Sequence, residues 1–457
     1  MQLNKKTVLN LSFLLFAVLR LQNYFFPIPA LKYLSAVLLV GIVLITIPTM
    51  GKGTRRVLVT LFVVGTALLI YAKVPLETWV NSILKNGNLL ALFVLVPMIS
   101  APFYYEDYQS ELSNLAKMRM HSVLSFLLLV AVANHILSVI VSIGSVLVTY
   151  SLLAPYASLY KAEKPFLTTL SRSYNSSGFW SPAWASVIVY SAVPNVEWVR
   201  VIPVGIAMSV LFLAIHFAGL FVETRRYPDR YPDIHADPGT VLDKKKLTTM
   251  LILAICMILT IVVINVVTGW DLMITVCIAS LVFPLGAALF QKKMPEYKAG
   301  LDDYYHKQLQ KVKGQVALFM MSGFFGNALS VSGVGELLAR CLPDWLTAYP
   351  PLMIAALMLI LILPSLIGVH PAATGTALVA ALTPAAVGLS NYTFSLAIIV
   401  GWLLTIMVAP YSASALLFAS LTGKNHYHTS IGINWGFGLI CLVVFSLLIS
   451  VIGPVMG

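Results

Sequence analysis

The chain has 457 residues, of which 59% are hydrophobic and only 10% are charged, and its mean hydropathy is +0.90. Because soluble domains carry about 25% charged residues, this composition argues against a soluble protein and predicts a polytopic helical membrane protein. The formal charge of +12 does not indicate a nucleic-acid partner, because the basic residues stand in short loops between apolar runs, where they set orientation in a lipid bilayer.

Eleven apolar stretches predict membrane spans, at 7–26, 31–50, 56–73, 89–104, 166–194, 201–222, 248–267, 271–290, 315–338, 394–420 and 430–452. Two further apolar regions, 121–158 and 352–388, are interrupted in the middle and predict re-entrant hairpins. With the N-terminus in the cytoplasm and the C-terminus outside, most of the 29 Lys and Arg residues fall on the cytoplasmic side, Arg172 counted among them. This threading predicts a multi-pass protein of a bacterial cytoplasmic membrane.

The order of these elements predicts an inverted repeat. An extra N-terminal helix, 1–30, precedes repeat 1, which covers 31–222 with hairpin 121–158 and broken helix 166–194. A cytoplasmic linker, 223–247, leads to repeat 2, which covers 248–452 with hairpin 352–388 and broken helix 394–420. Inverted repeats with broken helices are typical of secondary transporters, and the sequence has no GxxxxGK[ST] loop for ATP-driven transport.

Four interruptions hold the candidate binding residues. They are the first hairpin tip (133–136, ANHI), the first break (174–186, YNSSGFWSPAWAS), the second tip (363–371, LPSLIGVHP) and the second break (405–414, TIMVAPYSAS, centred on 409–412). Broken helices expose N–H groups that favour anions and carbonyl groups that bind Na⁺. The predicted substrate-binding residues are Asn134, His135, Asn175, Ser176, Ser177, Gly178, Ser181, Gly368, His370, Thr374, Pro410, Tyr411 and Ser412.

Each feature also has a packing interpretation. Small residues permit close helix crossings, a proline can be an ordinary kink, and a single His can be a buried structural residue. The joint pattern favours a binding site, because both predicted tips carry a His and both following spans carry Ser/Pro breaks. Trp180 and Trp184 stay open between pocket and packing.

These residues resemble the ion transporter superfamily of divalent-anion/sodium symporters, arsenite permeases and sodium/proton antiporters. The resemblance rests on ANHILS (133–138), on the run 150–186, on IGVHPAATGT (367–376) and on APYSASALL (409–417). It implies an elevator-type homodimer, in which the hairpins and broken helices move together across the membrane. It also implies cation binding by Asn134, Asn175, Gly178, Gly368, Ala409 and Ser412.

The chain departs from these families in having no Asp or Glu in the four interruptions. This argues against carboxylate-based sodium/proton exchange and leaves His135 and His370 as alternative proton carriers. The sequence therefore predicts a non-enzymatic secondary transporter for a small carboxylate or oxyanion-like solute, coupled to Na⁺ or H⁺. It predicts no cofactor and no metal other than Na⁺.

Three alternatives remain. One is a proton-coupled exporter of an amphipathic compound, which the Trp-rich break favours. Another is an integral membrane enzyme acting on lipid-linked substrates, which the short outer loops and the lack of paired carboxylates beside the breaks disfavour. A channel is the third, although four paired interruptions favour alternating access.

Overall fold

The computed structural model describes residues 5–105, 111, 114, 122–182, 184–190, 193, 195–232, 243–334, 342–369 and 371–456, and within these residues every regular element is helical. The first half contains α1 (Lys5–Phe25), α2 (Pro29–Thr46), α3 (Lys52–Tyr71), α4 (Leu76–Ile83), α5 (Gly87–Leu95), α6 (Val123–Val141), α7 (Gly144–Leu159), α8 (Glu163–Ser177), α9 (Ala185–Tyr190) and α10 (Trp198–Arg226). The second half contains α11 (Lys244–Thr268), α12 (Leu272–Gln291), α13 (Met294–Asp303), α14 (Leu309–Val331), α15 (Asp344–Ala348), α16 (Pro350–Leu366), α17 (Pro371–Ala381), α18 (Asn391–Val408), α19 (Ala413–Thr422) and α20 (Ile433–Met456). A 3₁₀ segment, Val96–Tyr104, follows α5, and π-helical turns occupy Tyr304–Gln308 and His428–Gly432.

Nine helical stretches in the described part of the chain are long and apolar enough to cross a membrane. The prediction of an all-α polytopic membrane protein is confirmed. The region 166–194 is not among the nine, because α8 has only 15 residues and is followed by an irregular segment and the six-residue α9. The predicted span 56–73 overlaps α3, which has 20 residues and ends at Tyr71.

Local sequence signals explain several helix ends. Asp243 and Asp271 precede α11 and α12, and each carboxylate accepts hydrogen bonds from free backbone N–H groups of the first helical turn. Ser122 begins α6 with a capping box shared with Ser125. Gly269 ends α11. These short polar segments turn the chain back between apolar helices.

The first hairpin consists of α6 and α7, and its turn lies at Ser142–Ile143, where Ser142 has a φ of +50°. The prediction that residues 133–136 form the tip is wrong, because Asn134 and His135 lie inside α6. The Asn134 side chain finds polar partners on α8, where Nδ2 donates to Leu170 O at 3.0 Å and to Ser173 Oγ at 2.9 Å. A side-chain amide nitrogen that donates to a neighbouring helix does not have to end its own helix, so α6 continues to the next turn signal.

In the second hairpin, α16 ends at Leu366 and α17 begins at Pro371. Gly368 has a φ of +99° in this turn, a conformation that residues with a side chain rarely adopt. The turn thus falls within the predicted second tip, although His370 lies outside the described residues. Helix α18 ends at Val408, and Ala409 to Ser412 separate it from α19.

The two broken helices occupy the centre of the molecule. Buried residues make up 94% of the most apolar window of the α18–α19 stretch, and every residue of α8 from Pro165 to Ser171 is buried. Helix α8 packs against α6, α7, α10 and α18, and α9 also packs against α18. By contrast, α2, α11 and α20 are buried over only about a third of their length, and their outer faces carry exposed apolar side chains such as Val37, Val263 and Val451. The fold therefore places both helix breaks inside a shell of lipid-facing helices.

Candidate solute-binding site

A cavity of about 290 Å³, which we name the central cavity, lies where the hairpin turns meet the helix breaks. The hairpins and breaks contribute Ser142, Ile143, Tyr174, Trp184, Ala185, Pro371, Ser412, Ala413 and Ser414. The facing wall consists of Phe93, Val96, Pro97, Ser100, Gln308, Val312, Gln315, Phe319, Trp402 and Ile406. One compact site thus receives residues from all four interrupted regions of the chain.

Three helix N-termini reach this cavity. Ser142 and Ile143 immediately precede α7, Pro371 is the first residue of α17, and Ser412 caps α19 by accepting a hydrogen bond from Ala415 N at 3.2 Å. A helix N-terminus carries about half a positive charge and free N–H donors. None of the described residues that line the cavity is Asp, Glu, Lys or Arg. The arrangement therefore suits an anionic group without an opposing cationic side chain.

Aromatic and amide side chains form much of the remaining surface. Tyr174 and Trp184 pack against each other with ring centroids 4.6 Å apart, and Phe319 stacks on Trp402 at 5.9 Å. Gln315 supplies an exposed amide on the facing wall. A ligand in this cavity would meet a polar end at the helix N-termini and aromatic faces around its body.

Gly178 fixes the shape of the first break. A Cβ atom at this position would lie 2.7 Å from Cε3 of Trp184, well inside van der Waals contact, so only glycine allows the indole to pack there. Trp184 also donates from Nε1 to Ser138 O at 3.4 Å. The Trp184 indole therefore packs in the core and also lines the central cavity.

The other predicted residues of the first half lie behind the cavity wall. His135 Nδ1 is 2.7 Å from Ser176 Oγ, while the hydroxyls of Ser176 and Ser177 donate to the carbonyl oxygens of Ser173 and Tyr174. Ser181 donates to Val139 O at 3.2 Å. These side chains are held within helices α6 and α8 and around the break, and none of them lines the central cavity.

Two of the predicted amides keep an unsatisfied oxygen. Asn175 donates from Nδ2 to Ser171 O at 2.8 Å, but its Oδ1 and the Oδ1 of Asn134 are buried without a hydrogen-bond partner among the described residues. The hydroxyls of Ser145 and Thr149, on the adjacent α7, share this property. A buried carbonyl oxygen without a partner costs about 1–3 kcal/mol, so a group that contacts these oxygens would stabilise the fold. Neutral oxygen ligands suit hard cations such as Na⁺.

Among the predicted residues of the second half that the structure describes, only Ser412 lines the central cavity. Gly368 lies beside the ring of Tyr411, which is 46% exposed and whose hydroxyl is 2.9 Å from the hydroxyl of Tyr427. Thr374 donates to Pro371 O at 3.3 Å, within α17. Pro410 and Ala409 are buried at the break. The role of each of these residues stays a prediction.

Arg172 lies inside α8 among polar partners, although the charge pattern of the sequence assigns it to the cytoplasmic side. It lies on α8, where Nη1 is 2.8 Å from His216 Nδ1, Nη2 donates to Ile433 O at 3.0 Å and Nε donates to Asn434 Oδ1 at 3.3 Å. No carboxylate among the described residues pairs with it. The Arg within the predicted span 166–194 was the available signal, because a charged residue at membrane depth needs buried partners.

No family model matches this sequence, and no curated protein matches it. Among solved structures, the YdaH transporter of Alcanivorax borkumensis, described as having an unusual topology, shares 16% sequence identity over 80% of this chain and 87% of that chain, with a TM-score of 0.49.

Proposed function

We propose that this protein is a secondary active transporter of a small anion, of the carboxylate or oxyanion-like type, across the cytoplasmic membrane. The observation that carries the proposal is the convergence of three helix N-termini on one cavity whose described lining holds no acidic side chain. The helix dipoles and hydroxyls would stabilise the anion, and the same geometry would disfavour a cation. The protein would act as a carrier rather than as an enzyme.

A second cavity supports alternating access. This distal cavity, of about 420 Å³, is lined by the starts of α5 and α18, with Asn86 and Phe394 among its residues, whereas the ends of these helices adjoin the central cavity. Phe394 and Trp402 are eight residues apart on α18, which corresponds to about 12 Å along the helix. The stacked Phe319 and Trp402 rings line the central cavity, and Thr376, whose hydroxyl is 2.5 Å from that of Ser322, lines the distal cavity, so these residues would form the barrier between the two. Closing one cavity while opening the other would move a solute across.

We propose that the hairpins and broken helices move together as one unit, in an elevator movement, when one cavity closes and the other opens. The coupling ion would be Na⁺ or H⁺. The unpaired oxygens of Asn134 and Asn175 would hold Na⁺, and His135, beside Ser176 in the same helix pair, would carry H⁺ in the alternative. Cation binding would favour the anion-competent state through the coupling free energy between the two sites.

Thermal stability of the purified protein tests both parts of the site. Native-state ligands raise apparent stability, so an anion panel in Na⁺ or in N-methyl-D-glucamine buffer should show stabilisation by anions that Na⁺ increases. Asn175→Ala should remove the Na⁺ increment, whereas Asn265→Ala, at a distant helix end, should retain it. An equal Na⁺ increment in Asn175→Ala would contradict the cation assignment. A parent protein that responds to pH and not to Na⁺ would assign the coupling to H⁺.

The aromatic lining favours one second candidate, a proton-coupled exporter of an amphipathic compound. Tyr174, Trp184, Phe319 and Trp402 would contact an apolar body while the helix N-termini bind its charged end. Transport from loaded proteoliposomes under opposite pH gradients distinguishes the two directions. Efflux that exceeds uptake under every gradient would favour the exporter.

Topology and assembly complete the proposal. The N-terminus would be cytoplasmic and the C-terminus external, which terminal tags and a membrane-impermeant protease test on intact cells. The protein would form a homodimer within the lipid bilayer, which native mass spectrometry tests directly. A single monomeric mass in mild detergent would contradict the dimer.

A further inference from the structure

A third cavity adjoins the central cavity. It has a volume of about 450 Å³, and we name it the vestibule. Its described lining comes from α13, from the π-helical turn and from the 3₁₀ segment, with Tyr105, Glu296, Tyr297 and Asp303 among its residues. Tyr297 and Glu296, together with burial as the largest cause, raise the pKa of Tyr105 to about 12, so its hydroxyl stays protonated. The vestibule therefore carries two carboxylates, Glu296 and Asp303, whereas the described lining of the central cavity carries none.

The vestibule and the central cavity share three lining residues, Pro97, Ser100 and Gln308, which we name the neck. Both walls of the neck depart from α-helical geometry. Pro97 and Ser100 belong to the 3₁₀ segment, and Gln308 is the last residue of the π-helical turn. Such π-helical turns inside longer helices are frequent at functional sites, because the extra residue redirects a side chain.

The surrounding contacts hold Gln308 in the neck. Its Nε2 donates to Asp303 Oδ2 at 3.3 Å, and the other oxygen of Asp303 is 2.7 Å from Lys307 Nζ. Tyr304 donates to Val94 O at 2.8 Å, which ties the π-helical turn to the end of α5. Across the neck, Ser100 donates to Pro97 O at 3.0 Å. A half-buried, tethered amide thus separates a polar vestibule from the proposed binding cavity.

We propose that the vestibule is an access route to the central cavity and that Gln308 selects, by size and polarity, what passes. The proposal rests on the proposed function in taking the central cavity as the solute site. The Gln308 amide offers hydrogen bonds to a solute that loses water in the neck, and its length sets the free width opposite Pro97 and Ser100. The residue is a specificity determinant that lies outside the binding cavity itself.

Thiol accessibility tests the route without any transported substrate, so its failure is distinguishable from failure of the proposed function. Replacing Cys256, Cys277, Cys341 and Cys441 with Ser, and Gln315 with Cys, places one reporter thiol in the central cavity. The probe is sulfonatoethyl methanethiosulfonate, a small anionic reagent that forms a mixed disulfide and releases methanesulfinate. Its rate depends on access to the thiol.

Gln308→Trp should slow this reaction by about tenfold or more, because the indole fills the neck. The matched control is Lys298→Trp, on the exposed face of α13 outside both cavities, which should leave the rate unchanged. Gln308→Ala should accelerate the reaction, and it decides the matter if Gln308→Trp does not fold. Equal reporter rates in the folded Gln308 variants and the control would overturn the proposal.

Discussion

The proposed anion binding in the central cavity should be weakened by a single negative charge at Ser412. Asp and Asn both cap helix N-termini about as well as Ser, so Ser412→Asp and Ser412→Asn should both preserve α19. The two variants differ in charge and hardly at all in size. Ser412→Asp places a carboxylate at the positive end of the helix and inside the cavity, where it competes with the solute for the same field.

The size of the effect follows from the dimensions of the cavity. A volume of about 290 Å³ corresponds to a sphere of about 4 Å radius, so a carboxylate on its wall lies about 5 Å from a bound anion. Two like unit charges at that distance repel by about 3 kcal/mol at an effective dielectric constant of about 20. This corresponds to a loss of about 100-fold in affinity relative to Ser412→Asn.

The assay compares dissociation constants for the anion that most stabilises the parent protein, measured by thermal shift and by direct titration. Ligand-free melting temperatures of the two variants should agree, because each cap supports the same helix. Comparable anion affinities in Ser412→Asp and Ser412→Asn would refute the electrostatic basis of the site. If both variants bound the anion more weakly than the parent protein but equally well as each other, the effect would be steric.

Two further substitutions test the architecture around the cavity by thermal unfolding. Gly178→Ala should destabilise the protein by about 1–3 kcal/mol, because its methyl group would overlap the Trp184 indole, whereas Gly219→Ala, where nothing lies within 4 Å of the added carbon, should not. Arg172→Lys should lower the free energy of unfolding by about 2–4 kcal/mol, because an ammonium cannot reproduce the three directed donations of the guanidinium. The control, Arg225→Lys near the end of α10, should change it by less than about 0.5 kcal/mol. A neutral Gly178→Ala or Arg172→Lys would contradict the corresponding packing or polar network.

The apolar runs predict nine of the eleven proposed spans as helices long enough to cross a membrane, because the lengths of these runs match the bilayer; 56–73 and 166–194 are the exceptions among the described residues. The two helix breaks were also readable from Gly178, Pro410 and the surrounding serines. The first hairpin turn was misplaced because Asn134 looks like a turn residue in a single sequence. Its amide nitrogen instead donates to two residues of α8 that lie 36 and 39 positions further along the chain, and local sequence patterns do not reveal such contacts.

The candidate site was only partly predictable, because it too depends on contacts between residues that are distant in the sequence. The sequence indicates the regions that converge, but among the predicted residues that the structure describes only Ser412 lines the central cavity. Gln308 lies on the π-helical turn before α14, and Gln315 lies on α14 itself. The polar residues of this region resemble an ordinary helix start at the membrane surface. Their approach to the breaks depends on helix packing across the whole chain. The resemblance to the ion transporter superfamily stays a prediction.

Gradient-driven uptake into proteoliposomes tests the central claim most directly. The measured solute is the labelled anion that gives the largest thermal stabilisation, and the imposed gradient is Na⁺ or H⁺. The proposed function predicts accumulation above the external concentration, its collapse when the gradient is dissipated, and its loss in Ser412→Asp but not in Ser412→Asn. Equilibration without accumulation under either gradient, or equal accumulation in both variants, would contradict coupled anion transport through this cavity.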